Sequence, residues 1–275
     1  MLPHMGSISF WLVLPIFIFG LFVGSFINVV VMRTLRGEDF VRGRSHCDTC
    51  GRTLAWYEMV PLLSFLVLRG RCRTCHTEID IMHPIIEFMT ASLFAWWWLI
   101  GFAFFHLTST PLLQVVQPLF WLIVGLLLLI IFIIDLKSYF IPDWATALLF
   151  WLVISYRLLL IVMGIYQPID LAWSLFGSLL LMLFFLSLWL ITKKRGFGFG
   201  DVKLIFPLAL LMGWPDMWVG VWLAFVIGAT VGVALLIAGR KRLGQAVPFG
   251  PFLVIGTLLS LLYGESLLSW YLALL

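Results

Sequence analysis

Apolar residues fill most of the chain in long runs, and polar residues are largely confined to the stretches between them. A helix that crosses a bilayer needs about 20 apolar residues to span roughly 30 Å of hydrocarbon. The runs predict eight transmembrane helices, at approximately residues 10–32, 83–105, 118–135, 144–165, 171–192, 202–214, 217–239 and 249–270. The sixth is short, because its thirteen residues rise only about 20 Å. We expect it to begin within the membrane or to lie in a wet cavity.

The composition is that of a polytopic membrane protein. Hydrophobic residues make up 63% of the 275 residues and charged residues 11%, against about 45–50% and about 25% in soluble domains. This balance excludes an ordinary soluble enzyme, a disordered chain and a disulfide-rich secreted domain. We expect an all-α membrane fold, with a first transmembrane helix over 1–32, a cytoplasmic loop domain over 33–82 and a transmembrane core over 83–275.

Basic residues are clustered, and the clusters predict the orientation of the chain. Eight of the 17 Lys and Arg residues lie between Arg33 and Arg73, and triplets occupy 193–195 and 240–242. Basic loops remain cytoplasmic, so these clusters share the cytoplasmic side if the chain crosses eight times with both termini outside. Arg157 is an exception, and we expect it to reach the interface from the outer end of the fourth span. The first run has no preceding basic residue and no small-residue cleavage site after it, which predicts a retained helix.

The four cysteines form two C-x-x-C pairs in the first cytoplasmic loop, Cys47 with Cys50 and Cys72 with Cys75. Two-residue spacing lets two thiolates reach one ion from a tight turn, and two such turns complete a tetrahedral zinc site with four thiolate ligands. The gap of 21 residues between the pairs slightly exceeds the usual spacing. Disulfides are not expected in the reducing cytoplasm, and two free dithiols are the alternative. A site closed by four cysteines leaves no open coordination position, so the predicted metal is structural.

Two further features belong to this loop. Residues 56–68 are apolar but too short to span, so we expect them to pack on the membrane face or on neighbouring helices. His46 and His76 flank the cysteine pairs. Either is a candidate ligand, but we expect both to be exposed to solvent.

Four acidic residues lie in or beside the predicted spans, namely Glu87, Asp135, Asp143 and Asp201. A carboxylate in a bilayer is costly unless it is paired or hydrated, so each is a candidate functional residue. Asp135 ends the third span and Asp201 opens the sixth, which puts both at the cytoplasmic face. Two close carboxylates share one proton, so one can activate water while the other protonates a leaving amine. The pair therefore suggests peptide hydrolysis in a cavity lined by the third, fourth and sixth spans.

Structural roles are the alternative for each of these acids. Asp143 follows a proline and precedes a span, which is typical of a helix cap. Asp135 is a candidate ion-pair partner for Lys137 or Lys203, and Asp201 is a candidate cap of its own helix. We expect Glu87 to pair with an arginine of the loop.

Five motifs follow one another along roughly residues 20–255. They are Gly24-Ser25-Phe26-Ile27-Asn28-Val29; the double C-x-x-C loop with Trp56, Glu58, Pro61 and Ser64; Pro84 with Glu87; Asp135 with Ile141-Pro142-Asp143; and Gly198, Gly200 and Asp201 with Pro248-Phe249-Gly250-Pro251-Phe252-Leu253. Together they resemble the type IV prepilin peptidases, the membrane aspartyl enzymes of type IV pilus and type II secretion systems. One departure is His83, where that family often has Tyr.

The resemblance implies a bifunctional enzyme of the bacterial inner membrane. It implies cleavage of the basic leader of prepilins or pseudopilins on the cytoplasmic side, then methylation of the new N-terminal amine with S-adenosylmethionine. The family's catalytic pair maps onto Asp135 and Asp201, and the complete cysteine set fits its zinc-containing branch. Its partners are those substrates and the lipid bilayer, without nucleic acid. The methyl-donor site is not identified; the family suggests the loop and the first motif, with candidates Asn28, Glu38, Asp39 and Glu58.

Two other functions remain open from the residues alone. Intramembrane carboxylates also form proton relays in transporters, although no inverted repeat is visible. A membrane scaffold whose zinc loop binds a partner is the second. A scaffold predicts that changes at the cysteines matter more than changes at Asp135 and Asp201, and a peptidase predicts the reverse.

Overall fold

The computed structural model describes residues 10–39, 43–101, 110–193, 198–240, 245 and 247–273. The helices, numbered in chain order, are α1 (Val13–Arg36), α2 (Leu63–Val67), α3 (Met82–Trp96), α4 (Pro111–Ser138), α5 (Asp143–Val162), α6 (Pro168–Ile191), α7 (Phe199–Met212), α8 (Asp216–Ile237) and α9 (Gly250–Leu272). Within the described ranges, β pairing is limited to two isolated bridges in the loop that follows α1.

The predicted all-α membrane fold is confirmed. Each predicted span corresponds to a helix, and within the described ranges six helices are long and apolar enough to cross a bilayer. The two others are α3, which is followed by a π-helical turn over Trp97–Gly101, and α7, which has 14 residues. The predicted second span runs to residue 105, and its last residues lie outside the described ranges.

Contacts divide the chain into two compact units, residues 1–129 and 130–275. In the first unit, α1 packs against α3. Gly20 and Gly24 allow a close approach, because a Cβ at either position would lie 2.7 Å from a backbone Cα of α3. This spacing of small residues is a common device for bringing membrane helices into backbone contact.

In the second unit, α7 is the buried centre. It contacts α5, α6, α8 and α9, and ten of its 14 residues are buried. A helix enclosed by other helices does not have to cross the hydrocarbon, but its terminal backbone groups need partners within the protein.

Arg157 supplies such partners at the C-terminal end of α7, so its expected position at the lipid interface is wrong. The residue is only 8% exposed. Its Nε donates to the carbonyl of Leu210 at 2.8 Å, and Nη2 donates to that of Leu211 at 3.4 Å. Nη1 donates to the hydroxyl of Tyr166. The carbonyls at a helix C-terminus favour a cation, and this explains how the charge is held inside the protein.

Replacement of Arg157 by Met is expected to destabilise the second unit, because each buried carbonyl left without a donor costs about 1–3 kcal/mol. The unfolding temperature in detergent should fall by at least about 5 °C. Arg240→Met removes an exposed arginine and should leave that temperature within about 1 °C. Equal unfolding temperatures for the two variants would contradict the structural role of Arg157.

Candidate active site and metal centre

Asp135 and Asp201 line one cavity of about 260 Å³ in the second unit. Asp135 lies in the last turn of α4 and Asp201 in the first turn of α7, and they are 4% and 5% exposed. The two carboxylates interact electrostatically. The remaining lining residues are Tyr139, Phe140, Ile141, Gly198, Phe199, Gly200 and Lys203. The third and sixth predicted spans therefore contribute as expected, whereas the fourth, now α5, supplies no lining residue.

Asp201 is held by the backbone at the start of α7. The N–H of Gly198 donates to its Oδ2 at 3.1 Å, and the N–H of Asp201 donates to the carbonyl of Gly198 at 3.2 Å. Asp201 therefore makes the capping contact that was its structural alternative, and this contact is compatible with chemistry because it also orients the carboxylate. Gly200 allows this turn to lie against the segment before α5, since a Cβ there would be 3.0 Å from Cβ of Ile141.

Asp135 faces the N-terminus of α9. The backbone amide of Gly250 faces its carboxylate, and a Cβ on Gly250 would lie 2.5 Å from Oδ2. Amides at a helix N-terminus favour a carboxylate. Oδ2 is buried and has no hydrogen-bond partner among the described residues, so it can accept one from water or substrate. In the sequence, Gly250 is marked only as part of a family motif, and no local pattern indicates its contact with Asp135.

Asp143 lies outside the lining of this cavity. Pro142 is the N-cap residue of α5, and Asp143 is in the first turn, so the expected cap is wrong by one position. The side chain of Asp143 is 74% exposed and forms an ion pair with Lys203. Lys203 is therefore bound to Asp143 rather than to Asp135. The arrangement gives Asp143 a structural role, because a carboxylate in the first turn also interacts favourably with the helix dipole.

The four cysteines come together in the first unit. Their sulfur atoms all lie within 4.8 Å of one another, and the Sγ atoms of Cys47 and Cys75 are 3.7 Å apart. Tetrahedral zinc with Zn–S bonds of about 2.3 Å places its sulfurs about 3.8 Å apart. The residues present therefore fit a single four-coordinate metal ion.

The two C-x-x-C turns share one backbone pattern. The first cysteine of each, Cys47 or Cys72, accepts an N–H from the residue four positions later and donates to the carbonyl five positions later, at 2.9–3.0 Å. The fourth position, Gly51 or His76, has a left-handed backbone, with φ of +68° and +56° respectively. His76 thus occupies a turn position, and among the described residues neither it nor His46 joins the group of candidate ligands.

The thiols of this cluster differ in acidity. A hydrogen bond between the Cys75 thiol and the Thr77 hydroxyl lowers the pKa of Cys75 to about 6. The backbone of Arg52 lowers the pKa of Cys50, but burial and the neighbouring thiols outweigh it and raise that pKa to about 11. Thiolates crowded into this space repel one another, so full deprotonation of the cluster requires a cation such as a bound metal.

Glu58 stabilises the segment that follows the first cysteine turn. It is 8% exposed, accepts the N–H of Ala55 at 2.8 Å and accepts Nη2 of Arg52 at 2.6 Å. These two contacts, the backbone one first, hold the pKa of Glu58 below its usual value. Its carboxylate is thus ionised and committed to the loop. The nearby apolar stretch is exposed at Trp56 and Val67, and its packing on the membrane face stays a prediction.

Glu87 has partners other than the expected loop arginine. Its Oε2 accepts the N–H of Leu62 at 2.7 Å, and its carboxylate also contacts the hydroxyl of Ser25. No arginine pairs with it among the described residues. Glu87 therefore anchors the loop to α3 through a backbone N–H of the loop and not through an ion pair.

Known proteins are similar to this chain along most of its length. Residues 18–100 match the bacterial peptidase A24 N-terminal domain, and residues 121–233 match the type IV leader peptidase family. Three similar curated proteins are each named prepilin leader peptidase/N-methyltransferase. That of Aeromonas salmonicida is 31% identical over 94% of this chain and 93% of its own. Those of Pseudomonas aeruginosa and Bacillus subtilis are 31% and 32% identical, over 99% and 93% of this chain and 97% and 96% of their own.

No solved structure matches the chain. The two family models together reach from α1 to α8, and the relatives are covered almost completely by the alignment. The chain therefore belongs to the family of prepilin leader peptidase/N-methyltransferases.

Proposed function

We propose that the protein is a membrane aspartic endopeptidase that removes the leader of prepilins or pseudopilins, and that it then N-methylates the new N-terminal residue. The observation that carries the peptidase half is the cavity shared by Asp135 and Asp201, two buried carboxylates from separate helices. The names of the relatives supply the substrate class and the second activity. We place the protein in the bacterial inner membrane, with this cavity on the cytoplasmic side, where its basic clusters stay.

In the proposed mechanism, Asp135 and Asp201 share one proton. The ionised carboxylate takes a proton from a water molecule as its oxygen attacks the scissile carbonyl, and the protonated partner delivers its proton to the leaving amine. Oδ2 of Asp135 has no hydrogen-bond partner among the described residues, and we assign it as the atom that accepts the proton from water. The bond from Gly198 to Asp201 keeps the second carboxyl in a fixed orientation.

Leader cleavage is expected to show a bell-shaped pH profile, because a proton-sharing pair needs one acid and one base. At low pH both carboxyls are protonated and the base is lost, and at high pH both are ionised and the acid is lost. Initial cleavage rates across about pH 4–10 test this. Asp143→Asn should keep the shape of the curve. A rate that is flat across the range would contradict the shared-proton mechanism.

Replacement of Gly250 by Ala is expected to reduce the cleavage rate constant about 10²-fold, because the new Cβ would displace the Asp135 carboxylate and misplacement by about 1 Å has an effect of that size. Gly232→Ala is the matched control, since a Cβ at Gly232 meets nothing within 4 Å. Its cleavage rate should equal that of the wild type. Normal cleavage by Gly250→Ala would exclude a close contact between α9 and Asp135.

We assign Cys47, Cys50, Cys72 and Cys75 as ligands of one structural zinc ion. The sulfur spacing fits zinc, and four thiolates leave no position for a catalytic water. The ion would supply cross-linking of the loop rather than chemistry on a substrate. For methylation, S-adenosylmethionine would supply the methyl group as a second substrate.

The first test is a cleavage assay with purified protein in detergent and a prepilin substrate. Mass spectrometry reads the loss of the leader and the addition of about 14 Da, the mass of one CH₂ group. Cleavage after the glycine that ends the leader, together with this mass increase, supports both halves of the proposal. An intact prepilin after incubation with folded protein would refute the peptidase half.

A further inference from the structure

The first unit contains a cavity of about 560 Å³ that the peptidase mechanism does not use. Its volume lies in the range of sites for nucleotide-sized ligands, about 300–1,000 Å³. It is lined by the C-terminal half of α1, the loop with both cysteine turns and the first turns of α3. The peptidase carboxylates belong to the other unit, within the match to the type IV leader peptidase family.

Asn28 and Glu87 lie together in the lining of this cavity. A Cβ on Gly24 would lie 2.7 Å from Cα of Glu87, so α1 and α3 touch at this level. One turn along α1, Nδ2 of Asn28 donates to the carbonyl of His83 at 3.0 Å. His83 is one turn before Glu87 on α3. Asn28 and Glu87 therefore line the cavity about one helical turn apart, where α1 packs against α3.

Among the described residues, the side-chain oxygen of Asn28 lacks a hydrogen-bond partner and the carboxylate of Glu87 lacks an ion-pair partner. Asn28 is 5% exposed, and its Oδ1 is buried without a hydrogen-bond partner among the described residues. A buried acceptor without a partner is destabilising, so a ligand that donates a hydrogen bond to it would be favoured at this position. Glu87 is 9% exposed, and its carboxylate, although bonded to Leu62 and Ser25, has no cationic side chain against it among the described ion pairs.

We propose that this cavity is the methyl-transfer site, and that Asn28 and Glu87 recognise the cationic methyl donor S-adenosylmethionine and the incoming amine. The proposal rests on the proposed function, in which the chain carries an N-methyltransferase activity. Glu87 provides the negative charge that a buried sulfonium requires, and Oδ1 of Asn28 accepts a hydrogen bond from an N–H of the amine or the donor. Glu58 is excluded from this role because Arg52 and Ala55 occupy its carboxylate.

The transfer itself needs no group from the protein to form a bond. The lone pair of the neutral N-terminal amine attacks the methyl carbon, and a C–N bond forms while the C–S bond breaks. Its electron pair goes to sulfur, which becomes a neutral thioether. The methylated ammonium then loses one proton to water. The positive charge moves from sulfur to nitrogen during the step, so one carboxylate such as Glu87 stabilises both ends of the path.

The test measures donor binding separately from activity. The full-length protein in detergent is titrated with S-adenosylmethionine by calorimetry, and methylation is followed on a pilin that already has a free N-terminal amine. Glu87→Gln keeps an oxygen for the Leu62 N–H but removes the charge, and Asn28→Ala removes the unpartnered oxygen. Each should weaken donor binding about tenfold or more and slow methylation at least as much, while prepilin cleavage stays within about twofold of wild type.

Glu265→Gln is the control, because it makes the same substitution at an exposed residue of α9 that lies outside the lining of the cavity. It should bind donor and methylate like the wild type. Unchanged donor binding in Glu87→Gln would overturn the site, and this variant decides the matter if Asn28→Ala fails to fold. A wild-type protein that cleaves prepilin but does not bind the donor would also overturn the site, while leaving the peptidase proposal intact. Donor binding without cleavage would refute the peptidase half alone.

Discussion

Asp135→Asn and Asp201→Asn should each abolish leader cleavage. An asparagine cannot hold or release the shared proton, and general acid–base catalysis contributes about 10²–10⁴-fold at each group. We therefore expect residual cleavage below about one part in 10³ for each variant. Both substitutions preserve the size of the side chain, so the packing around the second-unit cavity and α7 should survive. The measurement is a single-turnover cleavage rate, with the unfolding temperature recorded for each variant.

Asp170→Asn is the control for this pair. Asp170 lies in the first turn of α6, where its carboxylate accepts the N–H of Gln167 on the surface, and it does not line the cavity of the two acids. Its variant should cleave like the wild type. Methylation of an already cut pilin should persist in Asp135→Asn and Asp201→Asn, because the first unit is unchanged. Cleavage by either of these two variants would end the assignment of the catalytic pair.

Cys72→Ser should remove zinc from the protein and unfold the loop. Cys72 is 6% exposed, and a serine hydroxyl is a poor substitute for a thiolate ligand of zinc. The binding free energy of structural zinc, about 10–16 kcal/mol, acts as folding free energy for the segment that holds it. Zinc measured by elemental analysis should fall from about one ion per chain to less than about 0.2. Proteolysis should then cut within residues 43–81, where the two cysteine turns lie.

His46→Ala tests the same metal centre from the other direction. The histidine precedes Cys47 but stands outside the group of candidate ligands, so its variant should keep the full amount of zinc. Cys72→Ser should reduce the cleavage rate less than Asp135→Asn does, because the two carboxylates lie in the second unit. Zinc retained by Cys72→Ser, or lost from His46→Ala, would require a different ligand set.

Local spacing explains why much of the fold was predictable. Runs of apolar residues define helices whatever their neighbours are, so each predicted span has a helix to match it. The short α7 was predicted in the same way, from an apolar run of only thirteen residues over 202–214. The structure adds the reason for its length, which is that other helices enclose it. Its burial depends on helix packing, and hydropathy does not encode which apolar helix is central.

Charged residues inside the protein were predicted less well, for a related reason. Arg157 and Glu87 were each expected to find the partner that charge alone suggests, an aqueous interface or an arginine. Both instead bind backbone groups, the carbonyls of Leu210 and Leu211 and the N–H of Leu62. Any residue type supplies a backbone group, so no motif marks the partner.

The sequence by itself determined the all-helical membrane fold, the family and the two chemical groupings, because periodic apolar runs, paired C-x-x-C turns and acids at the ends of spans are local or near-local patterns. Only the tertiary structure decided which groups meet. It brought Asp135 and Asp201 into one cavity, placed Gly250 against Asp135, and set Asn28 beside Glu87. These contacts join residues far apart in the chain, and they depend on how closely the helix backbones approach, which is a property of packing rather than of spacing.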